Sequence, residues 1–299
     1  MSLRLRIAAA FLAVYIIWGS TYLAIRFVIE SIPPFFMAAT RFLLAGAILY
    51  VWARFRGAAK ENKRHWRSAF LIGGLMLLGG HGAVVWAEQW VPSSLVSLLI
   101  ASVPLWMVFI DWIRGGSKPN LRVGAGLLLG FSGVALLVSE LEGLGMNSVD
   151  FIGAIIVVFG AFLWANGSLH SRSAELPSSP LLGTSMEMIG GGALLLLASL
   201  LSGEWFRLRL DAVSVRSAVS WVYLVVFGSL IGFTCYIWLL KMATPAKAST
   251  YAYVNPIVAM FLGWALANET LTIRNLAAAI IILTSVVIIT THNPKGSSS

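Results

Sequence analysis

The chain has 299 residues, of which 59% are hydrophobic and only 11% are charged. Soluble domains are about 25% charged, so this composition excludes a soluble globular protein and indicates one that lies in a lipid bilayer. The net charge of +9 resides mainly in loops between apolar segments, where it sets membrane orientation, and it does not indicate nucleic-acid binding. The single cysteine, Cys235, excludes an internal disulfide.

Ten apolar segments of transmembrane length follow one another along the chain. An apolar run of about 20 residues crosses the hydrocarbon core as a helix, and prolines and glycines fall at the predicted turns. The predicted spans are residues 7–29, 34–54, 69–90, 93–113, 120–138, 150–170, 180–202, 218–240, 246–268 and 273–292.

The distribution of lysine and arginine predicts the orientation of these spans. With the N-terminus inside, the inner loops and termini carry 15 Lys and Arg residues and the outer loops carry five. Positive charge accumulates on the cytoplasmic side of membrane proteins. We therefore expect both termini to be cytoplasmic.

The second half of the sequence repeats the first. Trp18 and Arg26 recur at an offset of 146 as Trp164 and Arg172. A further set recurs at an offset of 152: Gly80, Trp86, Ser97, Pro104 and Arg122 correspond to Gly232, Trp238, Ser249, Pro256 and Arg274. Because five is odd, two homologous halves of five spans must have opposite orientations. The prediction is an all-α membrane protein of ten transmembrane helices, arranged as two inverted five-helix repeats, residues 7–138 and 150–292.

Inverted repeats are typical of secondary transporters, whose substrate site lies near mid-membrane between the repeats. We expect spans 1, 3, 4, 6, 8 and 9 to surround a cavity, and the aliphatic spans 5 and 10 to lie outside it. Spans 1 and 6 supply candidate substrate-binding residues, namely Trp18, Thr21, Tyr22, Trp164 and Ser168. Trp18 and Trp164 are interpreted as an aromatic wall for organic or cationic substrates, with packing between helices or against lipid as the alternative.

Ionisable groups inside a span are costly and usually face a bundle interior. His81 lies among glycines in span 3 and is a candidate for contacting substrate or a neighbouring helix. Arg41 and Glu187 occupy mirrored positions in spans 2 and 7, but inversion separates them in depth, so separate roles are expected: Arg41 as a structural or gating charge and Glu187 as a cavity acid.

Spans 4 and 9 each carry a proline well inside the membrane, Pro104 and Pro256. Proline frees a backbone carbonyl four residues earlier, so both are candidates for gating or for a packing kink. Candidate substrate-binding residues on these two spans are Ser97, Ala101, Ser249, Tyr253 and Asn255.

An enzyme is not indicated. The three aspartates, Asp111, Asp150 and Asp211, are isolated in the sequence, and His, Cys and Asp are too few for a metal site. No metal and no cofactor is expected. A phosphate-bearing substrate would require several arginines or lysines deep in the membrane, whereas a neutral, zwitterionic or aromatic small molecule suits Trp, Tyr, Ser and Asn.

Several short segments resemble the ten-span EamA type of the drug/metabolite transporter superfamily. These are residues 18–22 (WGSTY), Pro34, Arg41 with Phe42, residues 255–259 (NPIVA) and residues 268–272 (NETLT). One departure is that Glu269, which closes span 9, has Ser117 at the mirrored position in the first half.

The resemblance implies a secondary transporter in the bacterial inner membrane that exports small metabolites, above all amino acids including aromatic ones, by alternating access. It implies a monomer or weak homodimer with a small-molecule substrate. The alternative is a proton-coupled exporter of other metabolites or drugs, such as purines or organic cations. Transport down a metabolite gradient with a neutral His81 is the preferred mechanism, and proton coupling through His81 remains open.

Overall fold

The structure is a computed structural model that describes residues 2–116, 120–143, 148–243, 248–269 and 271–290. The described part is helical and contains no strand. Its long helices are α1 Leu3–Val28, α2 Pro34–Phe55, α3 Lys63–Ala87, α4 Ser93–Ile113, α5 Leu121–Gly143, α6 Ser148–Ser171, α7 Pro180–Leu201, α8 Val215–Met242, α9 Tyr251–Ala267 and α10 Ile273–Thr290.

Within the described residues, seven helices are long and apolar enough to cross a membrane: α1 to α4 and α6 to α8. The apolar parts of α5, α9 and α10 are shorter, covering Leu121–Gly133, Val254–Ala267 and Ile273–Ser285. These lengths and compositions indicate a multi-pass membrane protein. Helix α3 begins at Lys63 rather than 69, because Asn62 and His65 form a capping box ahead of the apolar stretch. Helix α5 ends at Gly143 rather than 138. Helix α9 is described from Tyr251 onward, and the predicted start at 246 lies outside the described residues.

Helices α3 and α8 each contain a stretch of π-helix, at Gly74–His81 and Leu224–Phe233. The two stretches are equivalent in the sequence repeat, which relates Gly80 to Gly232. A π-helical turn is wider than an α-helical one and is frequently found at functional sites. Both stretches lie beside the cavity described below.

Helix α4 is interrupted at Ala101–Ser102, directly before Pro104, whereas α9 continues without a break through Pro256. The two prolines therefore act differently. Pro104 is the second residue of the helical segment Val103–Ile113, where its missing N–H is not needed, while Pro256 removes a donor inside α9.

The helices pack in a pattern that recurs between the two halves of the chain. Helix α1 contacts α8 and α9, and its counterpart α6 contacts α3 and α4; α2 packs against α7, and α5 against α10. Glycine allows the closest approach, because a Cβ at Gly73 of α3 would lie 2.5 Å from the Glu187 carbonyl oxygen and the Gly191 nitrogen of α7.

Two mirrored arginines close the C-terminal ends of α3 and α8. Arg26 donates to the Glu88 carbonyl oxygen at 2.5 Å. Arg172 donates to the Leu240 carbonyl oxygen at 2.7 Å and to that of Ala243 at 3.0 Å. The last carbonyls of a helix have no partner within it, and a basic side chain can satisfy them. Each half thus supplies an arginine to a helix end of its own: Arg26 in the first half and Arg172 in the second.

Two glutamates from the second half cap helices of the first. The Glu204 carboxylate accepts hydrogen bonds from the backbone of Phe35 and Phe36, at 3.1 and 2.8 Å, where α2 begins. Glu269 accepts from the Ser93 and Ser94 nitrogens at 2.9 and 3.0 Å, where α4 begins. A carboxylate at a helix N-terminus satisfies free N–H groups and interacts favourably with the helix dipole. Ser117, the residue mirrored to Glu269, lies outside the described residues.

Candidate functional site

A cavity of about 60 Å³ lies between seven of the helices. The sequence predicted walls from spans 1, 3, 4, 6, 8 and 9, and the structure adds α2 to them. Its lining residues are Trp18, Thr21, Tyr22, Ile25, Arg41, Phe42, Gly80, His81, Val84, Ile100, Trp164, Gly228, Phe233 and Tyr251.

Four aromatic side chains form a contiguous cluster beside this cavity; Trp18, Trp164 and Tyr251 line it, and the fourth is Tyr236. The Trp18 ring centroid lies 5.6 Å from that of Trp164, 4.9 Å from Tyr236 and 5.2 Å from Tyr251. Tyr236 and Tyr251 are 5.3 Å apart and nearly perpendicular. These tilted and edge-to-face arrangements are the favourable ones for aromatic pairs. Helices α1, α6, α8 and α9 thereby meet at a rigid aromatic cluster, named here the aromatic wall.

Each tryptophan of the aromatic wall lies against a glycine of the opposite half. A Cβ at Gly232 would be 2.5 Å from Trp18 Nε1, and a Cβ at Gly80 would be 2.9 Å from Trp164 Cε3. Since Trp18 is mirrored by Trp164 and Gly80 by Gly232, the two contacts are equivalent. Trp18 also donates from Nε1 to the Gly228 carbonyl oxygen in the π-helical stretch of α8, at 3.2 Å.

A buried arginine faces the aromatic wall from α2. Arg41 is 3% exposed, its Nε donates to Ser229 Oγ at 2.8 Å, and its Cζ lies 4.7 Å from the Phe42 ring centroid. None of the described residues forms a salt bridge with it. Guanidinium has five N–H donors, and the contacts with Ser229 and His81 use two of them. The sequence predicts a structural or gating role for Arg41, and the structure places its side chain in the cavity lining.

His81 contacts the same guanidinium. The His81 Nε2 atom lies 3.2 Å from Arg41 Nη1. Because guanidinium can only donate, Nε2 accepts, and the ring proton resides on Nδ1. The imidazole ring packs edge-on against Phe42, with centroids 5.1 Å apart. His81 in this state is a neutral acceptor that orients Arg41.

The candidate substrate-binding residues divide into two groups. Those in the cavity wall are Trp18, Thr21, Tyr22, His81 and Trp164. Thr21 turns its hydroxyl to the Trp18 carbonyl oxygen of its own helix, at 2.7 Å. Tyr251, Phe42 and Phe233 were missed, and the only available signal was that Tyr251 lies on α9 beside the candidate Asn255.

The remaining candidates do not line the cavity in the described part of the structure: Ser97, Ala101, Ser168, Glu187, Ser249 and Asn255. All six are buried. Ser97 Oγ donates a hydrogen bond to the Ser94 carbonyl oxygen of its own helix. Ser168 supports the aromatic wall through Tyr236, whose hydroxyl oxygen lies 2.9 Å from Ser168 Oγ. The side chain of Tyr253 lies outside the described part.

Glu187 and Arg41, the mirrored charges, form no ion pair with each other among the described contacts. Glu187 is fully buried, and neither carboxylate oxygen accepts a hydrogen bond from a described residue. It lies on α7, which packs against α2 and α3 and contributes no residue to the cavity lining. In the part of the chain that the structure describes, no cluster of three His, Cys, Asp or Glu residues could hold a metal ion.

A model of the EamA-like transporter family matches residues 5–139 and again residues 151–291. The chain belongs to the EamA-like transporter family. It is therefore a multi-pass membrane transporter within the drug/metabolite transporter superfamily.

Relatives in bacteria and plants match nearly the whole chain. The chain is 38% identical to the inner membrane transporter YedA of Escherichia coli K12, covering 94% of this chain and 89% of YedA. It is 24% identical to the transporter YoaV of Bacillus subtilis, with 93% and 94% covered, and 27% identical to a chloroplastic WAT1-related protein of Arabidopsis thaliana, with 95% and 68% covered. A crystal structure with 20% sequence identity shares the fold, with a TM-score of 0.66 over 96% of each chain.

Proposed function

We propose that this EamA-like transporter exports amino acids, including aromatic ones, by alternating access at the cavity between its two halves. The observation that carries the proposal is the buried Arg41 guanidinium, which has no carboxylate partner among the described residues and faces the aromatic wall. Arginine binds carboxylates through paired hydrogen bonds, and Trp18 and Trp164 offer faces to an aromatic side chain or an ammonium group.

The same arginine weighs against organic cations as substrates. A buried positive charge repels a second one most strongly where the surroundings are apolar and the effective dielectric constant is low. Purines lack the carboxylate that Arg41 would bind. An amino acid supplies both the carboxylate and, when aromatic, the ring.

The architecture we propose for this function is ten membrane spans in two inverted repeats, residues 7–138 and 150–292. Three observations support it: the family model matches twice in succession, Arg26 and Arg172 close mirrored helix ends, and Trp18 and Trp164 rest on mirrored glycines. When two such halves exchange their conformations, the site between them opens first to one side of the membrane and then to the other, which is alternating access. A monomer or weak homodimer is sufficient for transport in this proposal, since all residues that line the cavity belong to one chain.

Transport of a labelled amino-acid panel by purified protein in proteoliposomes tests the proposal. Phenylalanine, tyrosine and tryptophan should undergo counterflow. Trp164→Ala should lower phenylalanine counterflow about fivefold, because one aromatic pair is worth about 1 kcal/mol, and should lower serine counterflow much less. Equal losses for phenylalanine and serine would contradict a stacking role, and counterflow of none of the amino acids would contradict the proposed function.

We further propose the bacterial inner membrane as the location, with both termini cytoplasmic. The relative YedA is an inner membrane transporter, and the 15-to-5 distribution of basic residues supports the orientation. In a Cys235→Ser background, Lys60→Cys should be unreactive towards a membrane-impermeant maleimide in intact cells, and Val215→Cys should react. Both positions are exposed. The reverse labelling pattern would therefore contradict the proposed orientation of the chain in the membrane.

A further inference from the structure

Glu88 lies one helical turn beyond the cavity. His81, Val84 and Glu88 are spaced at i, i+3 and i+7 along α3 and its C-terminal end, so they share one face of the helix. The first two line the cavity. Glu88 therefore lies above that part of the wall, at the end of the bundle that is outermost in the orientation proposed above.

The Glu88 carboxyl group has no hydrogen-bond partner among the residues that the structure describes. Its side chain is fully buried, and neither carboxylate oxygen accepts a hydrogen bond from a described residue. Arg26 donates instead to the backbone carbonyl oxygen of Glu88, at 2.5 Å. A buried carboxylate without hydrogen bonds is strongly unfavourable, and such a group becomes neutral instead.

The charged groups that act on Glu88 are Glu269 and Arg26, and the Tyr22 phenol of the cavity wall faces it from α1. Glu269 is held as an acceptor, because Ser93 Oγ donates to it at 2.6 Å in addition to the two backbone donors of α4. The Glu269 carboxylate thus has three hydrogen-bond donors, whereas the Glu88 carboxyl group has none among the described residues.

We propose that Glu88 is a proton-binding site of the outer gate, occupied while this end of the cavity is closed and vacated when the end opens to water. Opening would hydrate the carboxylate and expose it to the outer pH. Alkaline pH outside would therefore favour the open gate, and acidic pH the closed one. The outward direction in this statement rests on the proposed function.

A gate measurement that needs no substrate tests this proposal. Ile25, 1% exposed, lines the cavity beside Tyr22. In a Cys235→Ser background, Ile25→Cys is labelled from outside with an impermeant maleimide in right-side-out vesicles. Its rate is divided by that of Val215→Cys, an exposed position (80%), to remove the effect of thiol ionisation. This ratio should rise about tenfold between pH 6 and pH 8.5 as Glu88 ionises.

The matched variants decide the outcome. Glu88→Gln should make the ratio low and independent of pH, whereas Glu187→Gln, which alters an equally buried carboxyl away from the cavity lining, should leave the rise intact. An unchanged rise in Glu88→Gln, or no rise in the parent, overturns the proposal.

A second measurement guards against misfolding of the variant. Dicyclohexylcarbodiimide attacks neutral carboxyl groups in apolar surroundings, and peptide mass spectrometry of the labelled wild-type protein at pH 7 should find Glu88 modified at least about tenfold more than Glu269. Equal modification of the two would contradict the proposal. Phenylalanine counterflow by the wild-type protein is recorded in parallel. Its absence would contradict the proposed function, and the gate proposal would then be judged from the maleimide and carbodiimide labelling alone.

Discussion

Replacing Arg41 with leucine is expected to lower phenylalanine counterflow by about 100-fold, because hydrogen bonds between charged groups contribute about 1.5–3 kcal/mol and more than one would be lost. The guanidinium is the positively charged group among the described cavity-lining residues. Arg41→Lys should retain part of the activity, since an ammonium keeps the charge but cannot reproduce the planar pair of donors. Counterflow in proteoliposomes, at equal protein content, provides the measurement.

Two comparisons separate substrate binding from a loss of folding. Arg122→Leu removes an exposed arginine of α5 and should leave counterflow near the wild-type rate. His81→Gln should also preserve most of it, because the glutamine oxygen can accept the bond that Arg41 donates to Nε2, whereas His81→Leu leaves a buried donor without an acceptor. Wild-type counterflow in Arg41→Leu would show that the guanidinium does not bind substrate.

Replacing Gly232 with alanine is expected to destabilise the protein by about 1–3 kcal/mol, the usual cost of an added group in a tightly packed site. The new methyl group would lie 2.5 Å from Trp18 Nε1. Trp18 cannot move away cheaply, because Trp164, Tyr236 and Tyr251 enclose its ring. Displacing it would also break its hydrogen bond to Gly228, so phenylalanine counterflow should fall together with stability.

Gly124→Ala provides the matched control for this substitution. Gly124 is also a helical glycine, but nothing lies within 4 Å of a Cβ placed there. Alanine should be neutral or slightly stabilising at this position, since it has the higher helix propensity by about 1 kcal/mol. Thermal unfolding in detergent compares the two variants. Similar melting temperatures for Gly232→Ala and Gly124→Ala would mean that the Trp18 contact adapts without cost.

The sequence repeat predicted more of the site than any single motif did. The offsets of 146 and 152 paired Trp18 with Trp164 and Gly80 with Gly232, and the structure brings each tryptophan onto the other half's glycine. What the repeat could not supply was which residues meet across the halves. Equivalence in sequence says nothing about contact, and the distances between Trp18, Tyr236 and Tyr251 depend on how α1, α8 and α9 pack.

The missing parts of the prediction have specific physical causes. The π-helical stretches of α3 and α8 have the same apolar composition as ordinary helix, so nothing in residue type indicated them. Arg41 was interpreted by its depth alone, but its position in the wall depends on Ser229 and His81, which hold it from two other helices. Ser97 and Ser168 were selected as polar residues on suitable faces, yet nearby acceptors in the protein already satisfy their hydroxyls.

The caps supplied by Glu204 and Glu269 have a consequence for biogenesis. Helices α2 and α4 are synthesised well before the residues that cap them, so their first N–H groups remain without these acceptors while the nascent chain is still growing. A fragment that stops after α5 would keep those groups uncapped permanently. The first half should therefore be a better target for quality-control proteases when expressed alone, and co-expression of the second half should protect it.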